Sequence, residues 1–129
     1  MLLLLSACAT RIDVPDNVTT GARPAALPAG PNVDYAEPPQ IRAVWLSSLA
    51  LERGATWSGE ISTSSNVASV EVRTDSFSFS VPRRHVGTFV FSYEIPDLPP
   101  YLRRPFVLHI VARNAAGQAS DEILPIEIR

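Results

Sequence analysis

Polar and apolar residues alternate along most of the chain after residue 39, and that period of two is the signature of half-buried β-strands. It is clearest in Ser-Phe-Ser-Phe-Ser-Val-Pro at 76–82, where Phe77, Phe79 and Val81 alternate with serines. Six further stretches read the same way. In 40–46, Ile41, Ala43 and Trp45 share a face; in 51–63 a turn at Arg53-Gly54 precedes Trp57, Gly59 and Ile61. In 66–73, Ala68, Val70 and Val72 point one way; in 87–95, Phe89, Phe91, Tyr93 and Ile95 do. Phe106, Leu108, Ile110 and Ala112 line one side of 105–114, and 121–129 closes the chain with Pro125, a residue that belongs at a sheet edge or bulge. No stretch carries a helical period. The pattern predicts an all-β fold: a seven-stranded antiparallel immunoglobulin-like β-sandwich over residues 39–129, its core supplied by Trp45, Trp57 and the phenylalanines. Turns are expected at Thr74-Asp75-Ser76 and at Asn114-Ala115-Ala116-Gly117.

Before residue 40 the pattern is different. Six of the twelve prolines (Pro15, Pro24, Pro28, Pro31, Pro38 and Pro39) fall there among small residues, with no persistent period. Such a segment buries too little to offset its ordering entropy. Residues 9–38 are therefore expected to form a disordered, Pro-rich linker, spanning on the order of 30 Å as a coil and roughly 90 Å if fully extended. The 129 residues thus make one domain and a tail.

The chain begins Met-Leu-Leu-Leu-Leu-Ser-Ala-Cys, and Cys8 is its only cysteine, so an intrachain disulfide or a multi-thiolate zinc site is excluded. Leu2–Leu5 is far too short to span a bilayer. Leu5-Ser6-Ala7-Cys8 resembles the lipobox of bacterial lipoproteins, with a leucine and two small residues before a cysteine. That resemblance implies that the Cys8 thiol carries a diacylglyceryl group, that cleavage leaves Cys8 first, and that the protein is anchored in the membrane of the cell envelope. Ala9, where an aspartate would retain such a protein at the inner membrane, implies the outer membrane. The short apolar stretch with no basic residue before it suggests further residues upstream of Met1. Residues 1–8 are thus read as a truncated-looking lipoprotein signal.

A second resemblance covers about residues 39–129. Val-Ala-Arg-Asn-Ala-Ala-Gly at 111–117 is similar to the penultimate strand and turn of fibronectin type III and bacterial Ig-like modules, and 64–73 to their third strand. Phe106 stands where the fibronectin type III pattern has a corner tyrosine, which favours the bacterial Ig-like grouping.

Charge and chemistry add little to this picture. The net charge of −2 gives no field for nucleic acid, and the eleven basic residues, all arginine, are scattered. His85 and His109 are too few for a zinc site, and Asp97, Asp121 and Glu122 lack the spacing of a calcium loop. The serines of 62–65 have no nucleophile-elbow context. We therefore expect no enzyme, no cofactor, no metal and no small-molecule substrate. The candidate partner-binding loops are Arg83, Arg84 and His85 together with Asn114 and Gln118 at one end of the sandwich, with Arg103-Arg104 at the other. The expected role is a non-catalytic interaction or structural module meeting another envelope protein or a polysaccharide. The alternative is a carbohydrate-binding module, which would need an exposed aromatic platform among Tyr35, Tyr93, Tyr101 and the tryptophans.

Overall fold

The computed structural model describes residues 12–129; the lipobox residues Leu5, Ser6, Ala7 and Cys8 lie outside them. Within the described residues ten strands form two five-stranded sheets packed face to face. They are β1 (Val18–Thr20), β2 (Ile41–Leu46), β3 (Ala50–Leu51), β4 (Thr56–Thr63), β5 (Val67–Arg73), β6 (Ser78–Val81), β7 (Arg83–His85), β8 (Thr88–Glu94), β9 (Pro105–Asn114) and β10 (Ala119–Ile128). One sheet runs β1-β2-β4-β8-β7 and the other β3-β10-β9-β5-β6.

The seven alternating stretches are β2, β4, β5, β6, β8, β9 and β10. The count of seven is corrected by three short strands, β1, β3 and β7, of two or three residues each. A period cannot show in so short a run. Nor is the sandwich wholly antiparallel, since β1 pairs parallel with β2 and β3 parallel with β10. Both expected turns are present. Thr74 Oγ1 accepts the amides of Ser76 and Phe77, and Gly117 takes φ +86° where the Asn114 turn requires a left-handed residue.

Val44, Leu46, Ile61, Phe89, Leu108, Ile110 and Leu124 are fully buried between the sheets. At about 1.5–3 kcal/mol each, they supply much of the folding drive. The face assigned to β2 is corrected. A register irregularity falls between Ile41 and Ala43, so Val44 and Leu46 point inward and Trp45 outward. One added residue exchanges the two faces of a strand, which the sequence pattern alone does not reveal. The same correction applies at the start of β5, where an irregularity between Val67 and Ser69 buries Val67 and leaves Ala68, expected to point inward, exposed.

Trp45 is nevertheless only 5% exposed, because the N-terminal segment lies over it. The expectation of a disordered linker is therefore corrected for residues 12–38, which form a strap on the sandwich. The Trp45 indole donates to the Gly21 carbonyl at 3.1 Å, and the Arg23 guanidinium sits over its ring while bonding Glu60 at 2.8 Å. Further along, Ser62 Oγ donates to Pro28 O at 2.7 Å and the Ser65 amide to Pro31 O at 3.0 Å. At the far end Asn66 and Asn114 both donate to the Glu37 carbonyl, and Ser120 donates to that of Pro39. A proline-rich backbone makes no ladder of its own. Its carbonyls here are satisfied by donors that the sandwich offers.

Where the strap enters, Glu122 of β10 points between the sheets beside Asn17. Its Oε2 is buried without a partner among the described residues. Burial raises the Glu122 pKa, partly opposed by a hydrogen bond from Asn17. A raised carboxyl pKa means that the folded state holds the proton more tightly than the unfolded one. The associated stability is present below the unfolded pKa and lost as pH rises through the folded one. Glu122→Gln is therefore expected to be at least as stable as the parent at neutral pH and to remove this decline, as read by thermal unfolding across pH. An unchanged pH profile would show that Glu122 is not its source.

Candidate functional site

The two sheets do not close along one seam. The chain crosses from one sheet to the other at Pro82: β6 pairs with β5, whereas β7 pairs with the start of β8. Below that crossing β8 has no neighbour on its outer side among the described residues, and a slot of about 240 Å³ opens between β6 and β8. Its walls are Trp57, Phe77, Phe79 and Tyr93, and Leu98 and Ile128 close its lower end.

The aromatic walls hold one another in place. The Trp57 indole is fixed by donating to Ser48 O at 3.0 Å. Trp57 meets Phe91 edge-on at 4.9 Å, and Phe79 meets Tyr93 across the seam at 4.5 Å. Such edge-to-face pairs add about 0.5–1.5 kcal/mol each beyond their area. Tyr93 stays 40% exposed at the mouth, and Glu94 beside it also lines the slot. Below the slot the loop 95–104 is pinned by an Arg53–Asp97 ion pair at 3.0 Å and by Arg103 donating to Leu98 O. Arg104 bonds Asp75 at 3.0 Å and holds its carboxyl below the usual range. Apolar walls with fixed geometry and few polar groups suit an aliphatic or aromatic side chain rather than a charged or hydroxyl-rich ligand.

The residues singled out from the sequence fall in several places. Arg83, Arg84 and His85 are exposed on edge strand β7, immediately above the seam. Asn114 is only 4% exposed and is committed within the fold: its Nδ2 donates to Glu37 O and Gln118 Oε1, and its Oδ1 accepts the Gln118 amide. Gln118 is tied into the same turn. Arg103 and Arg104 lie at the opposite end, each bonded as above. His109 pairs with Asp121 at 2.9 Å on the outer face of β9 and β10, Asp97 lies in the loop, and Glu122 points inward, so these acids do not converge. Tyr35 and Tyr101 are 71% and 73% exposed, whereas the near-parallel aromatic pair among the described residues, Phe91 and Tyr93, includes a buried ring.

Sequence reasoning identified Phe79 and Trp57 as core residues, placed Tyr93 on the strand face of Phe89 and Phe91, and missed the slot. The alternation was legible; that β6 leaves its sheet at Pro82 was not. The proline after Val81, ahead of the Arg-Arg-His run, was the available signal.

No family model matches the sequence, and no curated protein does so. Among solved structures, the chain is similar to a DUF4785 family protein of Legionella pneumophila, with a TM-score of 0.52 and 14% identity over 66% of this chain and 27% of that one. It is also similar to the SrpA adhesin of Streptococcus sanguinis, with a TM-score of 0.46 and 18% identity over 71% of this chain and 57% of that one. The chain thus spans about a quarter of the first protein's length and just over half of the second's. At such identity the Legionella likeness is one of fold, and the chain is an all-β, two-sheet sandwich of that kind.

Proposed function

We propose that the chain is a lipid-anchored protein of the bacterial cell envelope whose immunoglobulin-like sandwich is a non-catalytic binding module. The strand order supports the Ig-like reading. Strands β2-β4-β8 face β10-β9-β5-β6, the three-against-four arrangement of such sandwiches, joined by crossovers between the sheets. The observation that carries the binding role is the slot beneath Phe79 and Tyr93, an apolar recess held open by fixed aromatic walls. The strap that covers Trp45 does not cover this recess, which is open among the described residues.

Anchoring rests on the resemblance of Leu5-Ser6-Ala7-Cys8 to a lipobox. The strap changes what an anchor would do. With residues 12–38 docked, only residues 9–11 separate Cys8 from the sandwich, a reach of about 14 Å rather than the long span of a free linker. Ile12 lies beside Pro105, Val107 and Pro125, near the start of β9. A lipid on Cys8 would hold the domain close to the bilayer.

The test is the mass of the mature N-terminus of protein taken from the membrane fraction of its own host. The expected peptide begins at Cys8 and carries a diacylglyceryl group, and Cys8→Ala abolishes that mass and moves the protein to the soluble fraction. An unmodified peptide retaining Met1 in the soluble fraction would overturn the anchor.

A further inference from the structure

We propose that the partner is an extended peptide strand, which pairs with the free lower edge of β8, lodges one aliphatic or aromatic side chain in the slot, and sets an acidic residue opposite Arg83 and Arg84. This rests on the binding-module reading and names the chemistry of what is bound.

Three features meet on this one edge. The first is the backbone. Along a strand, N–H and C=O groups alternate in direction, and the Val90 amide reaches outward to Pro82 O at 3.0 Å. The groups of Ser92 and Glu94 therefore aim the same way, but β7 pairs only with Phe89 and Thr88. An added strand would find a row of donors and acceptors there.

The second is the slot, which lies directly inside that edge. The inward side chains of a strand laid beside β8 would point into the slot below the Phe79–Tyr93 contact, and about 240 Å³ is room for one large apolar side chain. The third is charge. Among the described residues no carboxylate stands within ion-pair distance of Arg83 or Arg84, although all three residues of β7 are exposed. An acidic residue on the incoming strand would meet them.

The opposite edge of the sandwich shows what protection looks like. β10 is covered only at Glu127 and Ile128, by β3, and the rest of that edge carries Pro125, which removes a donor. Residues 91–94 contain no proline and no basic residue. One edge is blunted and the other is left able to pair.

The experiment uses the full chain carrying Cys8→Ala and ¹⁵N spectra, in which the two indoles serve as site and control. Trp57 lines the slot; Trp45 lies under the strap on the outer face of the other sheet edge. The probes are the capped hexapeptide Asp-Thr-Thr-Leu-Thr-Val, its Leu→Gly form, a form N-methylated at alternate peptide bonds, and octanoate. The parent peptide is expected to shift the Trp57 indole and the Ser92 and Glu94 amides and to leave the Trp45 indole in place. The glycine and N-methyl forms are each expected to bind at least about tenfold more weakly, having lost the apolar anchor and the backbone bonds. Ser92→Pro, which removes an outward amide with no partner among the described residues at the cost of the exposed Ser58–Ser92 hydroxyl contact, should weaken the parent peptide about as much while the chain still unfolds in one cooperative transition. Leu98→Trp, a loop change that fills the slot, should do so as well.

Equal binding of the N-methylated peptide would overturn the strand-pairing proposal, as would a Trp57 indole that no peptide moves at millimolar concentration. If octanoate moves it and the peptides do not, the slot is an acyl-chain site and the proposal fails. The acyl mass on Cys8 is read independently, so failure here leaves the anchor standing, and loss of the anchor leaves peptide binding to be judged alone.

Discussion

Trp45→Ala is expected to cost about 3–5 kcal/mol and to loosen the strap over residues 12–38. The indole is 95% buried without belonging to the inter-sheet core, so what it packs against is the strap. Truncation removes the surface that the strap covers, the hydrogen bond to Gly21 O and the platform under Arg23. The amides of Val18 and Val33, bonded to Pro15 O and Ser65 Oγ, should then lose protection from hydrogen exchange, while Ile61 and Leu108 in the core keep theirs. Trp45→Phe separates the two contributions. It keeps a six-membered ring and loses the N–H donor with the five-membered part of the indole, for about 1 kcal/mol plus a packing defect smaller than that of alanine. If Trp45→Ala cost under 1 kcal/mol and left Val33 protected, the strap would have to be held by its hydrogen bonds alone.

Gly59→Ala is the second large effect, and local preference gives it the wrong sign. Glycine in mid-strand is unfavourable by roughly 0.5–1 kcal/mol relative to alanine, so on propensity the change should stabilise. Packing decides otherwise. A Cβ on Gly59 would overlap the Phe91 ring and Leu46 Cδ2, its neighbours on the two adjacent strands. Phe91 has no slack, since Trp57 lies against it at 4.9 Å and Phe79 at 5.2 Å. We expect a net loss of about 3 kcal/mol in urea unfolding, at the upper end of overpacking costs. Phe91→Leu in the same chain should recover part of it, because the two changes compete for one space. A neutral or stabilising Gly59→Ala would mean that the ring moves freely, and the slot walls could not then be called rigid. The same substitution should displace Phe91 toward Trp57, so its effect on peptide binding reports how far the wall geometry matters.

These two positions mark the limits of what the amino-acid order tells. Trp45 and Trp57 looked alike in the sequence, each in an alternating apolar run. One became a core and slot residue and the other the floor of a strap, because a register irregularity at Ile41/Ala43 exchanged the faces of β2. Gly59 was legible as an inward position and not as a tight one.

The candidate site divides in the same manner. Arg83, Arg84 and His85 were legible as an exposed basic run and did prove to lie on the surface, on an edge strand. Asn114, chosen with them, was drawn into the fold, because a buried amide at a turn is satisfied only by bonding the chain around it.

What the sequence determined by itself is the β-class, the seven longer strands, most of their inward faces from β4 onward, with the start of β5 an exception, and the turns between them. All of these follow from period-two alternation and from turn chemistry that acts within a few residues. The tertiary structure alone decided the three short strands, the strap and the slot. Each depends on groups distant in the chain meeting: prolyl carbonyls finding Ser62 and Ser65, Trp45 finding Gly21, and a strand that changes sheets at Pro82 leaving the lower edge of β8 bare. A proline-rich segment with no period reads as disordered because its partners are elsewhere in the sequence. Hydrogen bonds to the sandwich and the burial of one tryptophan hold it in place.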